Sequence, residues 1–194
     1  MRLSKQAHTS RPWRIHELTR DFHLEDVWAL PTPGGPDDFP VLVHGAASLD
    51  LEQVSSVAVR ILVAIRLKLG ALFGWDEPAA PGTAQPTLRD RLPDDLRAAP
   101  PGPELSAGPS APLYLIDDEF AVEIVNKTVH GVVHLGWVPD GSGGYRGQLA
   151  ILVKRKGLLG TLYMAGITPF RHLVVYPALM REIERSWRAA RKAS

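Results

Sequence analysis

The residues with the most chemical capacity are His130 and His134, set four apart in "KTVHGVVHLGW" (127–137). On a helix that spacing would stack two imidazoles into a metal-chelating pair. On a strand it leaves them on one face but roughly 13 Å apart, at about 3.3 Å per residue, too far to share an ion. Other acid–base residue types are Glu123, Tyr163 and Tyr176. "DDE" (117–119) would supply a carboxylate cluster, and Arg171 with His172 would suit a cavity mouth or a plain surface. His16 opens "HELTRDFH", which begins like a zinc motif but lacks the second histidine at i+4.

The period of the chain decides between helix and strand. In "EFAVEIV", Phe120, Val122 and Ile124 alternate with Glu119, Ala121 and Glu123. After "NKT", a tight turn, Val129, Gly131, Val133, Leu135 and Trp137 share one face and His130, Val132 and His134 the other. "PDGSGG" (139–144) is a hairpin signal, and "YRGQLAILVKR" follows with the same period. These are three strands of an antiparallel meander. The histidines therefore lie on a strand and cannot chelate one metal together. The opposite, apolar face is the one expected to meet the core. His130 and His134 are then expected on the outer surface, under a loop or a partner subunit, unless one of them points into a pocket. "DDE" reads as a polar strand start, because neighbouring strand residues face opposite ways. No spacing pairs the acid–base residues.

Elsewhere, Phe22–Leu30 reads as a first strand and Phe39–Gly45 as a second extended segment. "SLDLEQVSSVAVRILVAIRLKLGALFGW" carries apolar residues at helical spacing, which predicts one helix at about 50–73. Nine of the 17 prolines fall in 77–112, so that stretch is expected to be a loop, with "TLRDRLPDDL" as a short turn of helix. At the C-terminus, Leu173, Tyr176, Met180, Ile183 and Trp187 step by three and four. A second stripe runs through Tyr163, Ile167, Phe170 and Val174, and Pro169 and Pro177 should kink or break this long helix.

Composition sets outer limits. A chain of 194 residues suits a single domain spanning 1–194. A net charge of +1 gives no reason to expect nucleic acid or acidic membrane as a partner. Without cysteine there are no disulfides, thiolate nucleophiles or Cys-ligated metals. The N-terminal 22 residues lack an apolar signal core and no apolar run is long enough to span a bilayer, so a soluble cytoplasmic protein is expected. No P-loop or nucleophile elbow occurs, and no metal or cofactor is expected.

The segments "DDEFAVEIVNKTVHGVVHLGW", "KGLLGTLYMAGITPFRHL" and "RPWRIHELTRDFHLEDVWALPTPGG" resemble a bacterial family known as a domain of unknown function, DUF2867. That family resembles a branch of the START / polyketide-cyclase-like (SRPBCC) superfamily. The resemblance implies an α+β helix-grip fold, an antiparallel sheet curved around a long C-terminal helix with a cavity between them. It brings no catalytic residues. Three functions fit. The first is binding of a small apolar or amphipathic molecule, with Trp137, Tyr163, Phe170, Tyr176 and His134 as candidate ligand contacts. The second is an acid–base enzyme of cyclase, dehydratase or isomerase type. The third is an interaction or assembly module, in which a homodimer would fit.

Overall fold

The computed structural model describes residues 1–49, 87–106, 110–125, 129–155 and 171–193. Its frame is one five-stranded, wholly antiparallel sheet in the order β1-β5-β4-β3-β2. The strands are β1 (His23–Ala29), β2 (Ala111–Leu115), β3 (Glu119–Val125), β4 (Val129–Pro139) and β5 (Tyr145–Arg155). The meander β3-β4-β5 follows from the period-two pattern. The β4–β5 turn uses Gly141 and Gly143 at φ +86° and +95°, a region that glycine enters without strain. Proline at 112 is tolerated because β2 is an edge strand.

One face of the sheet is covered by helices. Leu135, Trp137, Leu149, Phe120 and Val122 pack against α3 (Phe39–Ala47) and a C-terminal helix, α5 (Tyr176–Ala193). The extended reading of Phe39–Gly45 is corrected here. Its valines and Phe39 suggested a strand, but Phe39, Leu42 and Val43 fall at helical spacing and all are buried. Pro40 sits in the first turn, where its missing N–H costs nothing. A π-helical turn, Arg171–Val175, precedes α5. Such a turn shifts the helical phase. Leu173, placed in the apolar stripe by its spacing, is accordingly 77% exposed, whereas Tyr176, Ile183 and Trp187 are buried. Pro177 lies at the start of the regular helix.

The other face is covered too, by segments of this chain, one of the covers expected over the histidines. Arg2 bridges to Trp28 of β1. The chain then crosses the sheet through α1 (Gln6–Thr9) and α2 (Ile15–Leu18). Beside it lie a 3-10 turn (Leu88–Arg91) and α4 (Asp94–Ala98), the short helical turns predicted within the Pro-rich stretch. Trp13, Ile15, Leu18, Leu88, Leu92 and Leu96 form a second core over Val27, Ala121, Val132, Ala150 and Leu152. The two covers are tied together: Arg14 makes a bidentate pair with Asp95 at 2.6 and 3.2 Å, and Arg91 pairs with Asp21. The Pro-rich stretch is thus partly regular, and β2 begins inside it at Ala111. The expected helix at about 50–73 and the "NKT" turn lie outside the described residues. The architecture is α+β, an open antiparallel sheet with a C-terminal helix on one face, consistent with a helix grip.

Candidate functional site

The pairing register of β3 with β4 brings acids and histidines together. Glu119 lies opposite Gly136 and Ala121 opposite His134, so Glu119 reaches His134 diagonally. Its Oε2 is 3.0 Å from His134 Nε2. The same carboxylate accepts the Arg14 and Ile15 backbone N–H groups at 2.8 and 3.3 Å and the Tyr114 hydroxyl at 3.0 Å. On its other side, His134 Nδ1 lies 3.2 Å from His8 Nε2, and His8 Nδ1 lies 3.1 Å from His16 Nε2. Three imidazoles thus run in line from half-buried His16 to a buried carboxylate. Burial alone would raise the pKa of Glu119. The hydrogen bond and charge of His134, the Arg14 amide and Tyr114 outweigh it and hold the carboxyl below its usual value. Burial, then the charges of His134 and His16, push His8 down to about 2.

The diagonal repeats four residues on. Glu123 meets His130 at 2.5 Å and also accepts the Thr87 hydroxyl at 2.5 Å and the Leu88 amide at 2.7 Å. Glu119 therefore holds the start of α2, and Glu123 the start of the 3-10 turn. His130 and His134 are 6% and 1% exposed: they lie on the face opposite the helices, as expected, but beneath segments of this chain rather than open to solvent. Their face is a second core. Glu119 does start β3, as "DDE" suggested, but it is buried with them, as is Glu123.

A different cluster lies on the helix side. In β1 the register slips at Glu25, with Leu24 opposite Leu152 and Asp26 opposite Ile151. In a regular strand Leu24 and Asp26 would share a face. The bulge turns Asp26 to the side of α5, as bulges do. There Asp26 Oδ1 is 2.7 Å from His172 Nε2, and Oδ2 accepts the Tyr176 hydroxyl at 3.0 Å. Arg2 stands 3.4 Å from the same carboxylate. The Asp26 side chain is fully buried, while that of His172 is 22% exposed. The Trp28 ring lies 4.6 Å from that of Tyr176, and its buried indole N–H has no hydrogen-bond partner among the described residues. A buried carboxylate orienting a partly open imidazole is an arrangement able to move a proton.

Of the sequence candidates, the structure brings Tyr176 and His172 into this cluster, His134 into the imidazole chain and Glu123 against His130. Trp137 sits in the core against Phe39, Tyr145 and Trp187, and its indole N–H donates to Gly35 O at 3.0 Å. Tyr163 and Phe170 lie outside the described residues. Sequence reasoning missed Asp26, Glu119, His8 and His16 as site members. For Glu119 a signal existed: period two places it on the histidine face. Among the described residues no group of side chains could hold a metal ion. A cleft between α3 and α5, lined by Leu42, Gly45, Ile183, Ser186 and Trp187, encloses about 10 Å³, room for one water at most. No helix among the described residues is long and apolar enough to cross a membrane.

A family model described as a protein of unknown function, DUF2867, matches residues 18–178. The chain belongs to the DUF2867 family. That match takes in all five strands and the first turn of α5, so both polar clusters in this DUF2867 chain lie largely within it. His8 and His16 precede it. No curated protein and no solved structure matches the chain.

Proposed function

We propose that this DUF2867 chain binds a small amphipathic molecule between the sheet and the C-terminal helix. Asp26, His172, Tyr176 and Trp28 form the polar end of the site. The observation that carries this reading is the bulge at Glu25, which delivers a carboxylate to an otherwise apolar face. Ligand pockets are mostly apolar with a few convergent polar groups. Here the groups are an imidazole open on one side and an indole donor without a partner among the described residues, and a buried polar group left unpaired asks for an explanation. A ligand oxygen accepting from Trp28 would supply one.

A second reading, acid–base catalysis on the bound molecule, is favoured by one detail. Among the described residues His172 makes a single hydrogen bond, from Nε2 to Asp26. That contact fixes the ring and its tautomer and leaves Nδ1 to take a proton from a ligand.

Native mass spectrometry of gently purified protein, with a denatured control, tests the binding reading. A discrete excess mass that denaturation removes, and that falls about tenfold or more in Asp26→Asn, is expected; a hydrogen bond to a charged group contributes about 1.5–3 kcal/mol. A bare chain mass in wild type and no dependence on Asp26 would count against it.

A further inference from the structure

The outer-face chain His16–His8–His134–Glu119 takes no part in the proposed ligand site. Its hydrogen bonds fix its proton content. Each bond needs one hydrogen, and a neutral imidazole carries one N–H and one bare nitrogen. With all three rings protonated at Nε2, His134 donates to Glu119, His8 donates to His134 and His16 donates to His8. Every bond is then made, and the one bare nitrogen is His16 Nδ1, on the half-buried ring. One added proton can enter there. Passing each bridging hydrogen inward leaves the charge on His134 beside Glu119, with no bond broken. A second proton cannot be accommodated. It would set two N–H groups against each other across a contact of about 3 Å.

We infer that this chain is an acid-operated latch on the N-terminal segment. It holds residues 1–18 on the sheet while the three imidazoles share at most one proton, and it releases them on further uptake. The latch spans the interface: His8 and His16 belong to the segment, His134 and Glu119 to the sheet. The groups facing it offer little compensation for a second charge. From the segment these are Arg11 lying over Trp13, and Arg14, which is already paired with Glu17 and Asp95. From β2 comes the neutral Tyr114 hydroxyl, bound to Glu119. From the β2–β3 turn come Asp117 and Asp118, the latter pushed up by burial and then by the charge of Glu119. β5 presents the uncharged Gln148, whose amide donates to Ala7 O. Glu123 and His130 are engaged with each other. Burial, followed by the charge of His134, also lowers the pKa of His16. Release uncovers the part of the outer core that Trp13, Ile15 and Leu18 cover.

The released state binds three protons on these histidines and the latched state one, a difference of two. Below the ordinary histidine range the open fraction should rise about hundredfold per pH unit. Hydrogen–deuterium exchange by mass spectrometry, corrected for intrinsic exchange and followed from about pH 7.5 to about pH 5, reads this in the full chain. Peptides covering 1–18 are expected to lose protection with that slope while peptides of β4 and β5 keep theirs. His16→Ala shortens the chain by one ring, so the difference falls to one proton and the slope to about tenfold per unit. The latch would be overturned by opening of 1–18 that is flat in pH, by an unchanged slope in His16→Ala, or by opening only together with β4 and β5. The wild-type measurement decides alone if the variant does not fold.

Discussion

Glu119 and Glu123 face the same way on β3, four residues apart, and each divides its carboxylate between one histidine of β4 and the first turn of a different covering segment. One register produces both contacts. The covers are thereby bolted to the sheet by buried acids rather than by apolar packing alone.

Removing such an acid should be expensive. Glu119→Ala strands the Arg14 and Ile15 amides, the Tyr114 hydroxyl and His134 in a buried site. A loss of about 3–5 kcal/mol is expected from urea unfolding at neutral pH, as for other broken buried pairs. Glu119→Gln keeps an acceptor and should lose about 1–3 kcal/mol. Equal, negligible losses in both variants would mean that the acid bears no part of the cover's attachment.

The two bolts should act independently. They are separated by roughly 13 Å along β3 and hold different segments. The losses in Glu119→Gln and Glu123→Gln are expected to add to within about 0.5 kcal/mol in the double variant. Coupling well beyond that, measured by the same unfolding titration, would show that the two covers come away as one.

Acid should weaken the fold from the histidine range downward. His8 is held at about 2 by burial and then by His134 and His16, against an ordinary 6.5. The unfolded chain then binds the extra proton. The contribution of His8 itself is complete above about pH 7 and is lost as the pH falls from about 6.5 toward about 2, at about 1.4 kcal/mol per unit, and the second proton that the latch excludes adds a like loss. Glu119 and Glu123, both held below the ordinary carboxyl value, add a second loss below about pH 4.5. The urea midpoint is expected to be level at pH 7–8 and to fall in two stages. A level midpoint down to about pH 5 would contradict this.

Gly136 should not tolerate a side chain. A Cβ there would stand 2.8 Å from the Trp13 ring that packs over it. Gly136→Ala is expected to cost about 1–3 kcal/mol, the range for overpacking, and to loosen residues 1–18 first in hydrogen exchange. A neutral substitution would place Trp13 elsewhere.

The meander and its β4–β5 turn were legible because alternation and a glycine-rich turn are local signals. The segment at Phe39 was not, because valines beside an aromatic suit a strand until tertiary packing selects the helical spacing. The face of the histidines was legible, but the segment that covers it was not. Alternation shows which residues share a face, but not whether a distant segment covers it. The covering residues, His8, Trp13 and Ile15, are more than a hundred positions from His134. Asp26 depends on a single-residue bulge, which leaves no mark in the pattern of "HLEDVWA". Tyr176 and His172 were legible as candidates, though not the carboxylate that joins them.

The proposed ligand site is tested most directly by nitrogen-15 NMR of the indole and imidazole groups during titration with 8-anilinonaphthalene-1-sulfonate, an amphipathic anion. The Trp28 indole N–H and the His172 ring resonances are expected to shift together and saturably, while the indoles of Trp137 and Trp187, which already donate to Gly35 and Pro33, stay in place. Shifts confined to Trp13 and His16, or none at all, would contradict a site between the sheet and the C-terminal helix.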